Sequence, residues 1–88
     1  MPLYLISYDE HNERDYEECY KLLVSWHGVR LLESLWLANL RGPAEVLQRF
    51  VSATFDGDAS VAVIEVPSNS DWATANCYEL GIEMLQAN

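Results

Sequence analysis

Two short segments of this chain, residues 3–8 and Ser60–Val66, are apolar and β-favouring on both faces, and that limits the fold sharply. Residues 3–8, apolar on both sides apart from Ser7, read as a central strand of a covered sheet. Between and after these strands the apolar spacing switches to the helical period. Tyr16, Cys19, Tyr20, Leu23 and Trp26 recur three and four residues apart, and Gly28 is placed to end that helix. Asn12 is a good N-cap for it, with Asp15 three residues on, and acids crowd the first turns where the helix dipole favours them. Residues 29–40 are rich in Val, Leu and Trp with no breaker, and read as one long strand or as two around Glu33–Ser34. Pro43 opens a second helix carrying Val46, Leu47, Phe50, Val51 and Thr54. Asp56-Gly57 is a turn. After Pro67, Ser70 or Asp71 caps a last helix bearing Ala73, Cys77, Leu80, Met84 and Leu85.

The order is therefore β-α-β(β)-α-β-α in 88 residues, enough for one domain. The expected fold is α+β, a ferredoxin-like βαββαβ sandwich with an additional C-terminal helical segment. The core spans residues 3–66 and the extension residues 67–88. Two helices cover one face of such a sheet. The other face and the edges need cover from the C-terminal segment or from a second copy of the chain. A chain this short buries only about 60 to 65 % of its extended surface, so a homodimer is a cheap way to widen a thin margin.

Fourteen acids against five bases give a net charge of −9. The bases, Arg14, Lys21, Arg30, Arg41 and Arg49, are scattered. This excludes broad electrostatic attraction to nucleic acid or anionic membrane, which needs clustered Lys and Arg. Any work on nucleic acid must pass through a local patch, a bound cation or a partner. Cys19 and Cys77 do not make a disulfide framework and are expected as buried free thiols. The N-terminus lacks the basic flank and long apolar core of a signal peptide, and no apolar run is long enough for a membrane span. A cytoplasmic location with no membrane partner is the expectation.

Four stretches together resemble a known family: "YLISYDEHNERDY", "GVRLLESLWLANL", "GPAEVLQRF" and "DGDASVAVIEV". They resemble the small CRISPR-associated ferredoxin-like endonucleases, which dimerise and scaffold the integrase during spacer acquisition. They are also similar to toxin RNases of the virulence-associated protein D type. The wording is most similar to the uncharacterised bacterial SinR-family proteins, which share "YLISYD-HN", "RLLESLW" and "SDWAT". The resemblance spans roughly residues 3–66. It implies that Asp9, closing the first strand, is the metal-binding and catalytic residue, brought near its counterpart by the dimer. It also implies that Ser34 and Trp36 lie near that site as substrate-binding residues. The chain departs from the family in its first helix, which is basic in the endonuclease-like members and reads "ERDYEECYK" here.

The chemistry that follows is hydrolysis of a phosphodiester by a water that a divalent cation activates, with Mg²⁺ held by one or two carboxylates. Glu10 or Glu33 is placed to assist, and His11 is a candidate general acid or base because its reference pKa lies near neutrality. Beside this stands a plainer reading, since an Asp between a strand and a helix is a very common turn residue. Two functions follow. One is a dimeric Mg²⁺-dependent endonuclease acting on RNA or DNA, in CRISPR adaptation or as a toxin. The other is a non-catalytic acidic module, or nucleic-acid mimic, that binds a basic protein partner.

Overall fold

The computed structural model describes residues 1–10 and 16–88. His11, the Asn12 cap and the Asp15 capping partner lie outside the described residues. The elements are β1 (Leu3–Asp9), α1 (Glu17–Ser25), β2 (Val29–Leu32), β3 (Leu35–Asn39), α2 (Ala44–Ser52), β4 (Ser60–Val66) and α3 (Glu79–Ala87). The strands form one sheet in the order β2-β3-β1-β4, with every neighbouring pair antiparallel. This is the ferredoxin-like arrangement. β1 sits in the interior of the sheet, as its apolar faces demand. The long apolar stretch after α1 resolves into two strands with the turn at Glu33–Ser34.

Alternation along β1 feeds two cores. Tyr4, Ile6 and Tyr8 point to one face and pack with Trp36 and Ala38 of β3, Cys19 and Leu23 of α1, and Leu47 and Val51 of α2. Leu3 points to the other face and packs with Leu31, Leu37 and Leu85, flanked by Leu5, Ile82 and Met84. α3 thus supplies cover that the two crossover helices cannot, lying against β2 and β3. Burying such a Leu contributes about 1.5–3 kcal/mol, so the second core is a substantial part of a small domain's stability. The half of this face nearer β4 stays open: Ile64 is 55 % exposed, and Ala62 is exposed beside it.

Two glycines permit close approaches. A Cβ on Gly81 would stand 2.7 Å from the Arg30 carbonyl oxygen and 2.8 Å from Leu31 Cα, so α3 reaches β2 only because that Cβ is missing. A Cβ on Gly28 would meet the Leu23 carbonyl oxygen at 2.9 Å. The left-handed residue that turns the chain out of α1 is not Gly28 but His27, at φ 59.

The last helix starts later than its apolar spacing suggests. Ala73 and Cys77 are not on it; α3 begins at Glu79. The backbone supplies the reason. Asn69 and Asn76 are left-handed at φ 66 and 60, Tyr78 is extended, and the Tyr78 N–H donates to the Leu31 carbonyl at 3.1 Å. That hydrogen bond lays the chain along the β2 edge, at the irregularity in β2–β3 pairing, before the helix turns. Cys77 is consequently half-buried, while Cys19 is sealed in the first core. No helix among the described residues is long and apolar enough to cross a membrane.

Candidate functional site

The C-terminal end of β1 is fixed from three sides. The Tyr8 N–H donates to the Ser34 carbonyl at 3.2 Å, tying β1 to the β2–β3 turn. The Trp36 indole N–H donates to the Tyr8 hydroxyl at 3.0 Å. The Tyr8 ring packs 5.7 Å from both Tyr16 and Phe55. Burial pushes the Tyr8 phenol well above its ordinary pKa, with the Trp36 hydrogen bond acting in the opposite sense. The phenol is therefore a neutral structural group across the physiological range.

Asp9 follows Tyr8 and, by strand alternation, faces the other way. It is exposed, aligned with Ser60 of β4, and lines a small cavity of about 160 Å³ with Ser7, Tyr8, Ser60, Val61 and Ala62. A clamped backbone thus presents a solvated carboxylate at the end of an interior strand. Ser34 is half-buried at the same end of the sheet, and its carbonyl is what holds Tyr8. Trp36 is only 6 % exposed and lies on the helix-covered face with Tyr8, opposite the face of Asp9. Glu33 accepts a hydrogen bond from the Tyr78 hydroxyl at 2.6 Å, which raises the Tyr78 pKa. Glu10 is half-buried just beyond the strand.

Among the described residues no three His, Cys, Asp or Glu side chains gather into a group able to hold a metal ion. Asp9 is a single exposed carboxylate, whereas protein Mg²⁺ sites usually combine one or two carboxylates with waters.

A second constellation shares Trp36 with this end of the sheet and leaves no local trace in the sequence. The Arg30 guanidinium rests 4.7 Å from the Tyr20 ring centroid and 4.8 Å from that of Trp36. These residues come from β2, α1 and β3, and only the fold brings them together. With Val24, Tyr78, Glu79 and Leu80 they line a cavity of about 510 Å³ at the β2 edge, between α1 and the start of α3.

The backbone is similar to the crystal structure of a hypothetical protein, TT1823, from Thermus thermophilus, with a TM-score of 0.64 and 22 % identity. The match covers 84 % of this chain and 92 % of that one. At that identity the likeness shows the fold alone. No protein-family model matches the chain, and no curated protein matches it in sequence.

Proposed function

We propose that this chain works as a homodimer that hydrolyses phosphodiesters of RNA or DNA with the help of a divalent cation. Its sequence resemblance points to CRISPR adaptation or a toxin-type RNase as the setting. The observation that carries the reading is the exposed Asp9 carboxylate at the clamped end of β1. Mg²⁺, when bound, would lower the pKa of a coordinated water and shield the scissile phosphate. Asp9 would hold that ion, and Tyr8, fixed by Trp36 and Ser34, would keep Asp9 in place. His11, two residues further along the chain, is the candidate general acid or base, as a residue type whose reference pKa lies near neutrality.

The sheet's open half-face supports the choice of partner. Ala62 stands in water beside Asp9, Ile64 stands in water further along the same face opposite Leu5, and among the described residues β4 is an edge strand. Pairing two β4 edges about their middles would hold the Asp9 groups roughly 25 Å apart, from strand spacings alone. Stacking the open faces instead, with sheets about 10 Å apart, lets the two carboxylates approach. A face-to-face pair is therefore the arrangement that fits a shared ion.

Cleavage of single- and double-stranded RNA and DNA, with and without Mg²⁺, is the direct test. The expected result is Mg²⁺-dependent cleavage by the native protein and none by Asp9→Asn, whose fold is unchanged. Equal cleavage by the variant would remove Asp9 from the mechanism.

One observation favours a second reading. Lys21 lies 3.2 Å from Glu17 and 3.5 Å from Glu18, and Arg49 lies 2.8 Å from Glu45. Two of the five bases thus face the protein's own acids and leave a negative surface. An acidic module that binds a basic protein fits that surface. Its complex would weaken with added salt and survive EDTA.

A further inference from the structure

We infer that the cleft at the β2 edge binds one unpaired planar base, guanine by its pattern of donors and acceptors. The argument starts from what stands in water there. Val24 is 61 % exposed, Leu80 is 62 % exposed, and the Tyr78 ring is also exposed. Three large apolar side chains around one concavity mark a binding groove rather than ordinary surface. The cavity, at about 510 Å³, lies within the range typical of small-molecule sites.

Arg30 supplies the polar part. Its guanidinium lies across Tyr20 and Trp36, whose rings are 5.8 Å apart and tilted by 35°. Its Nε is closed off from water and has no acceptor. Among the described residues no carboxylate forms an ion pair with it. Its charge also acts on the Tyr78 hydroxyl at the rim of the cleft, and the N–H groups not engaged there are left for an external acceptor.

Charge decides between ligands. Arg30 is the cation of this cleft, Glu79 contributes a carboxylate to the same lining, and Glu33 sits against Tyr78. A phosphate would meet two acids for one base, on a chain of net charge −9. A neutral ring with one acceptor edge and one donor edge meets no such penalty. Guanine presents O6 and N7 to an arginine, and its N1–H and amino group to a carboxylate. Adenine places an amino donor where guanine has O6, so Arg30 would oppose it. Stacking on aromatic and apolar side chains is how unpaired bases are held. The inference goes beyond the proposed cleavage and uses neither Asp9 nor a metal.

The test is titration of the full chain with guanosine, followed by backbone amide NMR. Saturable shifts are expected at Val24, Tyr78, Glu79 and Leu80. Adenosine should bind at least ten-fold more weakly, and inorganic phosphate should leave those amides unmoved. Arg30→Gln and Glu79→Gln should each weaken guanosine binding at least ten-fold, while Asp9→Asn should leave it unchanged. Glu79 is exposed, so its variant keeps the fold and remains decisive if Arg30→Gln misfolds. Absence of saturable shifts, equal binding of adenosine, or undiminished binding by Glu79→Gln would overturn the inference.

Discussion

The Trp36 indole N–H donates to the Tyr8 hydroxyl at 3.0 Å, inside a core where both side chains are almost fully buried. This bond joins β3 to the last turn-facing residue of β1 and so fixes the backbone that presents Asp9. Tyr8→Phe keeps the ring and leaves the indole N–H without an acceptor. An orphaned buried donor costs about 1–3 kcal/mol. Urea denaturation should show that loss as a lower midpoint with an unchanged slope. An unchanged midpoint would mean that the bond adds nothing to the fold.

The same phenol makes the protein sensitive to alkali. In the unfolded chain Tyr8 ionises near pH 10, whereas burial holds the folded group higher. Above about pH 10 the unfolded state sheds a proton that the folded state retains, so rising pH favours unfolding. The stabilisation is complete below that point and is lost as pH climbs toward the folded value, at about 1.4 kcal/mol per pH unit. Thermal melts from pH 8 to 11 should stay level and then fall. Tyr8→Phe should flatten the fall, and an equally steep decline in the variant would assign it to other groups.

Gly81 tests the second core. A methyl group there meets β2 backbone rather than a flexible side-chain tip, so α3 must retreat. Forced overpacking of this kind typically costs about 1–3 kcal/mol. Gly81→Val should lower the melting temperature and speed hydrogen exchange in α3, while the α1–α2 core exchanges as before. Uniform acceleration everywhere would instead make α3 part of a single cooperative unit with that core.

The two thiols should differ. Cys19 is fully buried and its pKa is raised by that burial, which disfavours the reactive thiolate. Cys77 is half-buried in the segment before α3. An aromatic disulfide reagent should modify one thiol of the native protein and two of the unfolded one. Prompt labelling of both in the native state would contradict the packing of Cys19.

What the sequence made legible was periodicity and what it hid was long-range company. The two-faced apolar strands, the helical stripe ending at Trp26 and the Asp56-Gly57 turn all express local spacing. They sufficed for the order of elements along the chain and for the need of cover on a second face, but not for the place of β4 at the sheet edge. The start of α3 was hidden because a tertiary bond from Tyr78 to Leu31 overrides a helical pattern that begins near Ala73. Trp36 was legible as a large aromatic two residues after Ser34, yet the face it takes depends on its pairing with Ile6 and its hydrogen bond to Tyr8 twenty-eight positions earlier. Arg30 read as one scattered base because Tyr20 and Trp36, which cradle it, lie on other elements.

Cation binding bears most directly on the claim that two chains share one ion through their Asp9 carboxylates. Titration with Mn²⁺ as the probe, read by electron paramagnetic resonance alongside the mass of the assembly in solution, counts ions per chain. The account predicts a dimer that takes up one ion for every two chains and loses it with Asp9→Asn. A monomer, an ion retained by the variant, or no uptake at all would contradict it.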